Sequence, residues 1–105
     1  MANNMRPIHP GEILREELTE IGISANAFAA AIHVPANRVT GILNGTRSIT
    51  ADTALRLAKY FGTTPEFWLN LQSAYDLKIA KSSAGKKIEK EVHAYSPDAQ
   101  NTAHT

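Results

Sequence analysis

The residues of this chain best suited to chemistry lie between Ala36 and Arg47, and that chemistry is hydrogen bonding rather than bond making. Wound as a helix at about 100° per residue, the segment 35–44 places Pro35, Val39, Ile42 and Leu43 on one side. The other side presents Asn37, Gly41 and Asn44, with Thr40 and Arg38 on its flanks and Ala36 near the edge. An Asn amide can pair bidentately with adenine, and a Thr hydroxyl can bond a base or touch a thymine methyl. Arg38 can reach either a guanine or a phosphate, and the spacing leaves both open. Gly41 is expected to let the backbone approach a groove closely. Asn44, Thr46 and Arg47 fall just past the helix end, where contact with phosphate sets register instead of sequence. Asn26, at the start of the preceding helix, is a further phosphate candidate together with the backbone N–H groups around it.

Other chemistries find little support. His9, His33, His93 and His104 are scattered, with no pair at metal-ligand spacing, and are expected at turns and on the surface. The chain has no Cys, so neither a disulfide framework nor a thiolate zinc site is available. No Ser–His–Asp context or phosphate-cradling glycine loop stands out, so no enzyme and no cofactor are expected. The apolar runs fall short of the roughly 20 residues that span a bilayer. The N-terminus, MANNMRPIHPGE, carries no apolar signal region, so a cytoplasmic protein with no membrane role is expected.

Charge constrains how such a chain would meet DNA. The formal net charge is +1, from 11 basic and 10 acidic side chains. Up to Lys78 the balance is zero: Arg6, Arg15, Arg38, Arg47, Arg56, Lys59 and Lys78 against Glu12, Glu16, Glu17, Glu20, Asp52, Glu66 and Asp76. Binding must then come from where charge is placed, with Arg38 and Arg47 bracketing the reading segment, and useful affinity requires two copies.

Five helices would position these residues. The first spans about 11–21, with Pro10 at its entrance, Ile13, Leu14, Leu18 and Ile21 as its apolar stripe, and acids suited to the positive end of its dipole. Ser24 caps a second, reaching about Ile32, and Pro35 is expected as the first residue of a third ending near Asn44. Between them, Ala29, Val34, Val39 and Ile42 have the sizes needed where two short helices meet steeply: a small residue at the crossing and branched residues in the wedge. Thr50 caps a fourth helix, and Thr64 with Pro65 opens a fifth. Gly22, Gly45 and Gly62 are expected to close helices. The fifth helix is apolar on more than one side, through Phe67, Trp68, Leu69, Leu71, Ala74, Tyr75 and Leu77. A second burial partner is expected, the same helix of another copy, with Phe67, Trp68, Leu71 and Tyr75 at the interface. Residues 1–80 thus read as one DNA-binding and dimerisation domain, with its motif at 25–44. Residues 81–105 read as a partly flexible C-terminal extension, in which Ser82, Ser83 and Gly85 are expected to interrupt the helix and the stretch from Ser96 to be a mobile tail.

Ala29, Val34, Val39 and Ile42, with the segments IHPGEILREEL, GILNGTRSIT and ALRLAKYFGTTPEFWLNLQSAYDL, resemble the Cro/CI-type (XRE) helix-turn-helix family. Within it the resemblance is to the HigA antitoxins, also labelled VapI, and covers about Ile8 to Leu77. It implies an all-α, five-helix, lambda-repressor-like domain and a homodimer on a palindromic operator in double-stranded DNA. It further implies repression of the protein's own operon and a HigB-type ribonuclease toxin as partner. One residue departs from the pattern: His33 stands where the family often has Gly, a costly choice if φ is positive there. Two alternatives remain, a stand-alone phage-like repressor and a toxin-neutralising interaction module that does not depend on DNA, docking through the acids of Glu12–Glu20 or through the tail.

Overall fold

The computed structural model describes residues 6–97, and among these the regular structure is entirely helical. The helices are α1 (Pro10–Ile21), α2 (Ala25–Ala31), α3 (Ala36–Leu43), α4 (Ala51–Phe61) and α5 (Pro65–Glu91). Side-chain oxygens open three of them as expected: Ser24, Thr50 and Thr64 accept from the N–H groups of Ala27, Thr53 and Phe67. Gly22, Gly45 and Gly62 have φ of 74°, 78° and 74°, the left-handed conformation expected where helices close. Pro35 differs from expectation by one position. It is the N-cap of α3, with extended backbone at φ −63°, ψ 146°, and its carbonyl accepts from Arg38 N–H at 3.0 Å. Its fixed φ suits the entry to the helix, but its extended ψ places it outside the first turn.

His9 overturns an expectation. Instead of a turn or surface position it takes the N-cap of α1, with extended backbone and buried, where its Nδ1 accepts from Gly11 N–H at 2.9 Å. Its ring meets Tyr75 of α5 edge-on at 4.9 Å, so one side chain joins the start of α1 to α5. At Gly11 the two helices α1 and α3 approach so closely that an added Cβ would collide with the carbonyl of Ile42.

The core lies between α1, α2, α3, α4 and the first turns of α5. Leu14, Phe28, Val39, Ile42, Leu57 and Trp68 are its largest fully buried side chains. Phe61 bridges Phe28 and Trp68, with ring centroids at 5.6 and 5.8 Å. Trp68 therefore corrects the expected interface: at 1% exposure it fills the core of its own chain, and its Nε1 donates to Thr63 Oγ1 at 3.0 Å. The apolar excess of α5 is real, but it lies elsewhere, in Phe67, Leu77, Ile79 and Ile88.

The expected interruption at Ser82, Ser83 and Gly85 does not occur, since α5 runs unbroken for 27 residues, about 40 Å. Ser83 turns its hydroxyl back onto the helix, donating to Ile79 O at 3.0 Å, so its polar group is satisfied within the helical conformation. A single Gly costs a helix only about 1 kcal/mol, and the Ala, Lys and Glu residues around Gly85 are good helix formers. Among the described residues no helix is long and apolar enough to cross a membrane.

His33 is the one described non-glycine residue with positive φ, at 60°. The turn needs this conformation because Val34 N–H must return to Ala29 O, at 3.0 Å. A left-handed residue bearing a Cβ costs about 1–2 kcal/mol, part of which Gly gives back as unfolded-state entropy. His33→Gly is accordingly expected to stabilise the fold by about 0.5–1 kcal/mol. Urea unfolding checks this, and an unchanged or lower midpoint would show the turn to be unstrained.

Candidate nucleic-acid interface

α3 is seated on the core by its apolar side. Val39 and Ile42 are buried against Phe28 and Ala29 of α2 and Leu14 and Leu18 of α1, while Val34 and Leu43 are half-buried around that cluster. The polar rim stays outside. Ala36, Asn37, Asn44, Thr46 and Arg47 are exposed, as is Asn26 in the first turn of α2. Thr40 is half-buried, its hydroxyl turned back toward Asn37 O at 3.4 Å, a long bond that DNA can replace. Near Asn26, the Ala27 N–H is already taken by Ser24 Oγ at 3.1 Å, so the amide itself, more than that N–H, is what α2 can offer.

Gly41 is the member of the rim that the structure corrects. It is buried, because the chain after α3 folds back over it. Thr46 and Arg47 N–H both donate to Gly41 O, at 2.9 and 3.1 Å, and the Thr46 hydroxyl adds a third bond at 3.2 Å. The Arg47 stem then lies across the glycine; a Cβ there would stand 2.7 Å from Arg47 Cγ and Cδ. Gly41 thus makes room for Arg47 and not for a groove, and Arg47 is held at the end of α3 with its head exposed.

Three residues at the site carried no signal in the sequence. Arg15, 28 positions upstream of Leu43 on α1, donates to Leu43 O at 3.3 Å and Asn44 Oδ1 at 3.5 Å, placing a cation on the last carbonyl of α3. Gln72, buried in α5, accepts from Ile49 N–H at 2.8 Å and donates to Asp76 at 2.9 Å, pinning the loop after α3 to α5. Asp52, in the first turn of α4, accepts from Arg38 Nη1 at 2.8 Å and from Arg56 Nε at 2.9 Å. The two guanidinium groups, Arg56 foremost, hold its carboxyl below the usual carboxylate range. Farther away, Arg6 forks onto exposed Glu12 at 2.8 and 2.9 Å and lowers that carboxyl in the same way.

A short helix braced by a buried wedge and a crossing partner, with a hydrogen-bonding rim left in solvent, defines a helix-turn-helix domain of the DNA-binding class. Comparison with known proteins agrees. Residues 14–68 match the family model described as Helix-turn-helix. Virulence-associated protein I of Dichelobacter nodosus is 51% identical over 94% of this chain and 91% of its own. The structure of an addiction module antidote protein of the HigA family from Coxiella burnetii superposes with a TM-score of 0.84 at 71% identity, over 87% of this chain and 100% of its own. That of Pseudomonas aeruginosa antitoxin HigA with the higBA promoter gives a TM-score of 0.83 at 50% identity, over 87% and 100%. The chain belongs to the Cro/CI-type (XRE) helix-turn-helix family, among its HigA and VapI antitoxins.

Proposed function

We propose that this protein is a sequence-specific transcriptional repressor acting as the antitoxin of a HigBA-type module, a non-enzymatic cytoplasmic protein that binds the operator of its own operon. The observation that carries the reading is the polar rim of α3, exposed Asn37 with half-buried Thr40, standing on buried Val39 and Ile42. The Pseudomonas aeruginosa relative solved with its higBA promoter supports it. Asn37 and Thr40 read base edges, with Ala36 beside them. Asn26, Asn44, Thr46 and Arg47 hold phosphates and fix register.

Two copies bind a palindromic site, joined through α5 and placing their α3 helices in major grooves about one helical turn apart. The exposed Phe67 and half-buried Leu71 and Tyr75 supply the start of that interface. A HigB-type ribonuclease toxin is the protein partner. The exposed acids Glu16, Glu17 and Glu20 of α1 favour a second reading, a module that neutralises a basic toxin without DNA.

Titration of the DNA upstream of the gene at several salt concentrations separates the two. The first reading expects a specific complex whose affinity falls with salt by several displaced ions. Asn37→Ala with Thr40→Ala is expected to weaken that complex by about 2–4 kcal/mol while leaving the unfolding midpoint nearly unchanged. Operator affinity equal to wild type in the folded double variant would remove the base-reading claim.

A further inference from the structure

We infer that Asp52 of α4 is a specificity-determining residue of the DNA-reading face, orienting Arg38 so that the free edge of its guanidinium meets a guanine. Resting on the operator-binding reading above, this assigns Arg38 to guanine, where its spacing alone leaves guanine and phosphate both open. Arg38 follows Asn37 on the flank of α3, and its side chain is 33% exposed. Its Nη1 donates to Asp52 Oδ2 at 2.8 Å, while its Nε and Nη2 bond no acceptor among the described residues. The Nε–Nη2 edge carries the two parallel N–H groups that match O6 and N7 of guanine.

Asp52 is itself fixed. Arg56 grips it side-on, Nε to Oδ2 at 2.9 Å and Nη2 to Oδ1 at 3.5 Å. The remaining Nη1 of Arg56 donates to Ile32 O at 2.9 Å and His33 O at 3.4 Å. The carboxylate is thereby anchored to the turn between α2 and α3, the turn that sets how α3 projects. An unheld arginine samples many rotamers and meets phosphate as readily as base; one held by a carboxylate has lost that freedom before DNA arrives. The same carboxylate repels a phosphate from the guanidinium it holds, whereas guanine offers neutral acceptors to the open edge.

The test measures binding of wild type, Asp52→Asn, Arg38→Ala and the double variant to the upstream operator and to operators with each base pair changed in turn. Wild type is expected to prefer guanine at one position of each half-site. Asp52→Asn and Arg38→Ala are each expected to lose that preference by about tenfold, with no further loss in the double variant. Affinity of Asp52→Asn for unrelated DNA is expected to hold or rise, because an anion has left the face. The urea midpoint of each variant is the control for a structural role, since a loosened turn lowers stability and binding to every operator alike. If Asp52→Asn instead weakens every operator by one common factor, the inference is overturned. If wild type itself shows no preference for its operator over unrelated DNA, the operator-binding reading has failed first, a different and recognisable result.

Discussion

Gly11→Ala is expected to destabilise this protein by about 3 kcal/mol or more, against the 5–15 kcal/mol that holds a typical domain together. The added methyl would stand inside contact distance of the Ile42 carbonyl oxygen, 2.8 Å from its carbonyl carbon and 3.1 Å from His9 Nδ1. Two of these three neighbours are backbone, and the third is the atom that caps α1, so no flexible side chain can yield. Relief requires α1 and α3 to part, which opens Leu14 and Ile42 together and moves the reading helix. A fall in the urea midpoint at unchanged slope, with operator binding lost beyond what the unfolded fraction explains, is the expected result. A variant with wild-type midpoint would mean that the close approach of α1 and α3 is not as described.

Trp68→Ala is expected to cost about 3–5 kcal/mol, the usual range for emptying a large aromatic site in a core. Phe61 and Phe67 lose the ring they pack on, and the hydroxyl of Thr63 loses its donor. This variant also tests whether Trp68 belongs to the core of its own chain. A residue filling its own chain's core destabilises by the same amount at every protein concentration, whereas an interface residue shifts the dependence of unfolding on concentration. A loss that disappears at high concentration would return Trp68 to the interface.

The sequence made the helices legible because their signals are local. Ser24, Thr50 and Thr64 sit where a side-chain oxygen must accept the first free N–H groups, and the pattern Ala29, Val34, Val39, Ile42 has few uses other than a tight helix crossing. What escaped was set by partners distant in the chain. Nothing around Trp68 distinguishes a ring turned into the core from one turned outward; that depends on Phe61 and Thr63 arriving beside it. Gly41 projects outward on a helical wheel, and its burial depends on the loop that follows bending back. Gly85 and the two serines suggest a break because a window of polar residues resembles a linker, although good helix formers on both sides outweigh one glycine. Among the site residues, the exposed rim of α3 could be read from periodicity, while Arg15, Asp52 and Gln72 act across 14 to 29 positions and leave no periodic trace.

The segment 45–49 has its backbone tied at both ends, with Thr46 and Arg47 bonded to Gly41 O and Ile49 to Gln72. Most connecting loops give up conformational freedom only when a ligand stills them, and that loss is subtracted from the affinity gained. Here the loss has already been absorbed by folding. Under the operator-binding reading, a phosphate that meets the Arg47 head finds the backbone beneath it already set, and association there need not wait for the chain to settle.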